Sequence, residues 1–301
     1  MPRLDTLPEP ALELIFAYAV DAALAEAGPR VLAQTLAAPL CLIASGTVMA
    51  ARMVLLRRIE LPIDGPLEDF RAYLQLLKLL ERTPRLAGHI RAIHVRDWPG
   101  ISAGEIAPLI AAALGLTDLR LVAPVPFVHG VLTQIAVLCP PIVRLALILD
   151  HVNAMASLTL PLTTALMTVA RTLEVLELRA PKGTGLELPE ALYLPRVRVL
   201  HTQTIDDTAR RLINASPQLV DLELNVYAAL PFVDRIDETI ARHVRRITVR
   251  SSAAFMPREA ARTVTRMFES VTAIDLGKGL DVPNFDYAPL LETLVVERCA
   301  R

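Results

Sequence analysis

Cysteine is scarce in this chain of 301 residues: Cys41, Cys139 and Cys299 are far apart, odd in number and form no CxxC pair. That excludes a disulfide framework and suits a reducing compartment, cytoplasmic or nuclear. Catalytic signatures are missing too, with no G-x-S-x-G, no H-E-x-x-H and no phosphate-cradling glycine loop followed by Lys-Ser/Thr. Lys182-Gly183-Thr184-Gly185 and Gly277-Lys278-Gly279 lack a strand-turn-helix context and read as turns. The six histidines stand at 89, 94, 129, 151, 201 and 243. None pairs with a plausible ligand at helix or strand spacing, and His89 and His94 point to opposite faces of a strand start. Asp150-His151 has no paired nucleophile and reads as a polar strand end. The chain is therefore expected to need no cofactor and no metal and to catalyse nothing. Net charge is −1, so no global attraction draws it to nucleic acid or an anionic membrane.

Charge is absent from three long runs, Val31–Ala51, Leu121–Val143 and Val152–Ala170. Each is long enough to span a bilayer, yet each is interrupted by proline, and a buried interior is the better reading. The opening Met1-Pro2-Arg3-Leu4-Asp5 carries an acid and then prolines where a signal peptide needs an unbroken apolar run.

Aliphatic residues, by contrast, are abundant, within an apolar content of 53% against 21% charged. The phrase Leu173-Glu174-Val175-Leu176-Glu177-Leu178 has the form L-x-x-L-x-L. Copies start at Leu56, Ile90, Leu116, Ile142, Val197, Leu219, Val244, Val271 and Leu291, the Val197 copy ending in Thr202. Leu, Ile and Val make up roughly a third of the chain, so about nine such phrases would arise by chance. The spacing carries more weight. Intervals of 34, 26, 26, 31, 24, 22, 25, 27 and 20 residues fall in the period range of a leucine-rich-repeat solenoid loosened by insertions. A proline lead-in recurs as well, in Thr83-Pro84-Arg85-Leu86, Cys139-Pro140-Pro141-Ile142, Leu194-Pro195-Arg196-Val197, Ser216-Pro217-Gln218-Leu219 and Ala288-Pro289-Leu290-Leu291.

Between the phrases, helical spacing or propensity predicts helices over Leu67–Arg82, Glu105–Leu114, Phe127–Leu138, Leu162–Arg171, Asp206–Ala215, Val233–His243 and Arg258–Glu269. In the first of these, Phe70, Leu74, Leu77 and Leu80 line one side, with Tyr73 and Leu76 beside them. Asp206, Asp207 and Asp234 suit helix starts, and the links from Pro181 to Pro189 and from Gly277 to Pro289 read as loops. Strands alternating with crossover helices imply an α/β fold with parallel pairing and right-handed crossovers, strands on the concave side. Leucine-rich repeats place Asn or Cys just beyond each strand. Of Asp64, Trp98, Pro124, Asp150, Pro181, Ile205, Tyr227, Ser252, Gly279 and Cys299 only the last fits, so an irregular solenoid is expected.

The first fifty-odd residues have another character. Thr6 and Glu9 form a capping box around Leu7-Pro8, Pro10 falls in the first turn, and Leu12, Ile15, Phe16 and Ala19 make one apolar stripe. Two further helical segments follow, over about Val31–Ala38 and Leu40–Leu55, and then the first strand phrase. This order resembles fungal F-box proteins with degenerate leucine-rich repeats. The resemblance implies an F-box-like helical region over 1–54, a repeat solenoid over 55–301, and a substrate-recognition adaptor of a Skp–cullin–F-box ubiquitin ligase. Leu7, Pro8, Leu12, Ile15 and Phe16 would dock the small adaptor subunit. The alternative is a repeat scaffold in which these helices only cap the solenoid. An α/β enzyme has no supporting motif.

If the first, fourth and sixth residues of each phrase point inward, the third, the fifth and the one after the phrase point out onto the concave sheet. That set includes Arg58, Glu60, His94, Arg96, Asp118, Arg120, Glu177, Arg179, His201, Asp221, Glu223, Arg246 and Arg250. The surface is mixed in charge and suits an unidentified protein partner better than a polyanion. The partner-binding candidates are His94, Arg96, Arg120, Glu177, Arg179, His201, Asp221, Glu223, Arg246 and Arg250. The last phrase, Leu291–Val296, comes five residues before Arg301. A bare parallel edge exposes unpaired backbone groups, so a covering element, a partner or a longer solenoid is expected there.

Overall fold

The computed structural model describes Ala11, Ile15 and residues 56–61, 68–96, 102–149, 158–180, 186–202, 207–226, 236–251, 272–278 and 293–297. They form an α/β, solenoid-like arrangement of ten strands and seven helices, divided between two compact units, Met1–Arg120 and Leu121–Arg301. No helix among the described residues is long and apolar enough to cross a membrane. Of the ten positions just beyond the strands only Pro124 is among them, and the helix expected over Arg258–Glu269 lies outside them.

The first unit carries β1 (Arg58–Leu61), α1 (Glu68–Arg82), α2 (Pro84–Ala87), β2 (Ala92–Val95), α3 (Ala103–Ala112) and the start of β3 (Asp118–Ala123). Strands β1 and β2 pair in parallel, Ile59 opposite Ile93 and Glu60 opposite His94. Helix α1 is rotated from the expected stripe. Tyr73 and Leu80 are buried, whereas Leu74 is 39% exposed. The cause is the Tyr73 hydroxyl, which donates to the Glu105 carbonyl in the first turn of α3. A buried phenol needs such a partner, and making it turns the tyrosine edge of α1 inward. Glu105 also accepts at Oε2 from the backbone N–H of Ser102 at 2.6 Å and its hydroxyl at 2.9 Å, which ties down the start of α3.

The second unit takes up β3 and continues with α4 (Val125–Leu138), β4 (Arg144–Leu149), α5 (Thr159–Val169), β5 (Val175–Arg179), β6 (Val199–Thr202), α6 (Asp207–Asn214), β7 (Asp221–Val226), α7 (Glu238–Ala241), β8 (Arg246–Ser251), β9 (Ala273–Lys278) and β10 (Thr293–Glu297). From β4 to β10 each strand pairs in parallel with the next. Strand β9 reaches Lys278, so Gly277, expected to open a loop, is still within the strand, where the register against β10 shifts. Helix α7 is shorter than the predicted Val233–His243. Asp237 caps it, accepting from Thr239 N–H at 2.8 Å and Thr239 Oγ1 at 2.6 Å, and these bonds hold the Asp237 carboxyl below its ordinary range.

One backbone device recurs at the strand entries. The carbonyl of the second residue of a phrase accepts the N–H groups of the second and third residues of the next. Arg57 accepts from Arg91 and Ala92, Arg91 from Thr117 and Asp118, Val143 from Glu174 and Val175, Glu174 from Arg198 and Val199, Arg198 from Val220 and Asp221, and Val220 from Arg245 and Arg246. The phrases are therefore in register with one another inside each unit, which their aliphatic content alone could not establish. A turn feeds several entries, with hydrogen bonds from Ile90 to Ala87, Leu116 to Ala113, Val197 to Leu194 and Leu219 to Ser216. Pro195 and Pro217 occupy the second place of that turn, where a fixed φ near −65° costs nothing. Pro84 instead opens the short helix α2, and Cys139, left-handed at φ 49, ends α4 before Pro140.

The core follows from the phrase. Where burial is described, first, fourth and sixth residues are buried, apart from half-buried Leu56: Leu173, Leu176 and Leu178 are 1% exposed or less, and so are Ile142, Leu145 and Leu147. Each such leucine contributes about 2 kcal/mol by leaving water. Thr202, in the sixth place of its copy, is buried too and makes a hydrogen-bonded or electrostatic contact.

Helix α6 starts on a charge cluster. Asp207 accepts from Arg210 Nε at 2.6 Å, Arg210 Nη2 at 2.8 Å and Arg211 Nε at 2.8 Å, while Arg211 also donates to the Leu188 carbonyl. The bonds from Arg210 and then Arg211 hold the Asp207 carboxyl far below its usual 3.8. A depressed carboxyl stabilises the fold above the unfolded value and loses that contribution as pH falls through it. The side chain is 44% exposed, so solvent screening limits the term to about 0.5–1 kcal/mol. Asp207→Asn is expected to lower stability by that amount at neutral pH, with the gap to wild type closing below pH 3.8, measured by urea denaturation at a series of pH values.

Candidate functional site

The third and fifth residues of the phrases stand on the sheet face opposite the buried one. In β2, β5, β6 and β7 they are half-buried while their neighbours are buried. Half-burial of charged groups on a pleated surface forces them to find partners.

In the first unit the partners converge on His94. Arg58 Nη2 lies 3.2 Å from His94 Nδ1 and 2.7 Å from Glu60 Oε1. A guanidinium only donates, so Nδ1 accepts and a neutral ring carries its proton on Nε2. That nitrogen is 3.6 Å from Asp118 Oδ1, beyond a proper hydrogen bond, and it is buried without another partner. Arg96 and Arg120 are exposed. Arg58, Glu60 and Asp118 complete this cluster although the candidate list passed over them. Their phrase positions, third and fifth, were the signal that could have included them.

In the second unit the fifth phrase positions form a lateral row. Ala146, Glu177, His201, Glu223, Thr248 and Asp275 follow one another in register from β4 to β9, about 4.8 Å apart. Glu177 and Glu223 are packed down, with side chains 14% and 12% exposed. Arg179 Nε is 2.6 Å from Glu177 Oε1 and its Nη2 is 3.9 Å from Glu223 Oε1. His201 Nδ1 is 3.9 Å from Glu223 Oε2. The close Arg179–Glu177 contact is an ion pair that lacks hydrogen-bond geometry. One row down, Arg246 Nη1 lies 3.6 Å from Asp221 Oδ2. Arg250 is opposite Asn225 in the β7–β8 ladder.

The structure thus divides the ten candidates. Glu177, Arg179, His201 and Glu223 come together, Asp221 and Arg246 pair beside them, and His94 belongs to the first unit's cluster. Of the docking positions, Ile15 is helical and 42% exposed, while Leu7, Pro8, Leu12 and Phe16 lie outside the described residues. Among the described residues no group of three His, Cys, Asp or Glu is placed to hold a metal ion. The rows interleave acid and base with half-buried apolar positions such as Val175 and Val199, an arrangement that can read a complementary surface.

The class these features define is an α/β repeat protein with consecutive parallel strands and a charged open sheet face. No family model and no curated protein matches the chain. A solved structure it resembles is the crystal structure of the Rad7 and Elc1 complex in yeast, at 15% identity over 89% of this chain and 81% of that one, with a TM-score of 0.38. A likeness of that size leaves function to be argued from the residues.

Proposed function

We propose that this protein recognises a polypeptide on the open sheet face of its repeats and presents it as a substrate-recognition adaptor of an F-box type ubiquitin ligase. In this reading the chain has no catalysis of its own, acts in the cytoplasm or nucleus, and docks the small adaptor subunit through its N-terminal helices. The observation that carries recognition is the row Glu177–His201–Glu223 with Arg179, a set of partly buried charges that three strands bring into one register. The docking half rests on the F-box-like order of the first residues and on Ile15, an isoleucine exposed on a helix.

Two arms test the two halves. Purified chain is expected to pull down the small adaptor subunit, and Ile15→Asp or Phe16→Asp should weaken capture at least tenfold, since burying a carboxylate in an apolar contact costs more than about 1.4 kcal/mol. Failure of folded wild type to bind the subunit sinks the ligase reading and leaves a scaffold. For the sheet face, Glu223→Gln keeps shape and removes charge. It should lower affinity for a co-purified protein partner about tenfold with little change in stability. Unchanged affinity would take recognition away from this row.

A further inference from the structure

The outer face of two neighbouring helices in the second unit carries no charge. Helix α4 has 14 residues and α5 has 11, and neither contains Asp, Glu, Lys or Arg. Charge-free helices are ordinary in a buried core, but these two have exposed stripes. On α5, Leu160 is 75% and Met167 62% exposed, with exposed Thr164 between them at helical spacing. On α4, Val137 is 73% exposed, and Pro126 and Thr133 share its stripe.

The hydroxyls on these stripes do little to make them polar. Thr133 Oγ1 donates to the His129 carbonyl at 3.0 Å, Thr164 Oγ1 to Leu160 at 2.9 Å and Thr168 Oγ1 to Thr164 at 2.8 Å. Turned back on their own helices, they spend their donors and leave methyl groups outward. Thr163, at the margin of the α5 stripe by helical spacing, is 9% exposed and its hydroxyl has no partner. Just past the end of α5 comes the first charge, Arg171, exposed and without an ion pair among the described residues.

We infer that this face docks a single amphipathic helix of a partner protein, uncharged on its contact side and acidic at the end that meets Arg171. Area selects the occupant. Helices of these lengths run about 16 and 21 Å and lie about 10 Å apart, so their outer face covers about 400 Å². A stable dimer buries about 800 Å² per partner, twice what is offered, whereas one helix laid along the groove between two others fits. The spacing of Leu160, Thr164 and Met167 is the ridge such a helix packs against. Arg171 sets the charge the occupant brings. This face is distinct from the open sheet face, and the inference stands apart from the ligase reading.

The probe is a fluorescein-labelled synthetic helix of about four turns, with leucine and alanine on one face, glutamine on the other and two glutamates at one end. Fluorescence anisotropy is expected to show saturable micromolar binding to the full chain. Leu160→Lys with Met167→Lys should weaken it at least tenfold and Arg171→Glu about threefold, while Glu223→Gln leaves it unchanged. Leu160 and Met167 are exposed, so these variants should keep the wild-type circular dichroism and Tm. Leu160→Gln serves if the lysine pair does not fold. No saturable binding of the helical probe to wild type, or equal binding by the variants, overturns the inference. So does a wild-type dimer in sedimentation that the double variant breaks, which would put a second copy of the chain on this face.

Discussion

Leu176→Ala is expected to lower the unfolding free energy by about 3–4 kcal/mol, the loss for a leucine deleted from a site that cannot collapse around the void. Leu176 is 1% exposed and stands in register between Leu145 of β4 and Leu200 of β6, both equally buried. The neighbouring backbones are held by their own ladders, so they cannot move in to fill the space. Val175→Ala, one residue away and half-exposed on the other face, should cost less than about 1 kcal/mol. Urea denaturation of the two variants beside wild type measures the difference. Equal midpoints would mean that the fourth phrase position is not the core position.

A second large effect is expected in alkali. Burial, and then the charge of Glu105, push the Tyr73 hydroxyl from 10.0 up to about 12. The folded chain therefore keeps its proton while an unfolded chain loses it. Stability from this group is complete below pH 10 and falls between pH 10 and about 12, where the unfolded state binds fewer protons. With allowance for solvent screening the loss is about 2 kcal/mol. Tyr73→Phe removes the window and forfeits the bond to the Glu105 carbonyl, costing about 1 kcal/mol at neutral pH. Other groups titrate in the same range, so the informative quantity is the gap between wild type and Tyr73→Phe followed by denaturation from pH 8 to 12. That gap should close and then reverse. A gap constant with pH would mean that Tyr73 ionises as a free phenol.

Much of the fold was legible because two periodicities are strong. The alternation in Leu173–Leu178 predicts a strand with one buried face, and the burial of Leu176 and Leu178 beside partly exposed Glu177 follows it. The helix expected over Leu67–Arg82 lies at Glu68–Arg82. Rotation about a helix axis was less legible. Leu74 and Tyr73 are neighbours in sequence and both suit an apolar stripe, and the choice between them falls to a hydrogen bond with Glu105, 32 residues away. The prolines before the strands were visible as a pattern, but their role as the second residue of a turn appears only when Leu219 bonds back to Ser216.

Sequence by itself determined which strand residues face the core, because an aliphatic side chain leaves water by its own chemistry and the two faces of a strand alternate at a spacing of two. It also determined which positions face out, and so the set from which a binding surface is drawn. Tertiary structure alone decided which of those outward charges meet. Glu177, His201 and Glu223 share a row because three separate phrases stack in one register, and that register is held by backbone carbonyls that every sequence possesses. The uncharged outer face of α4 and α5 was decided the same way. Their lack of charge reads equally well as a buried interior, and only the packing leaves Leu160, Met167 and Val137 in solvent.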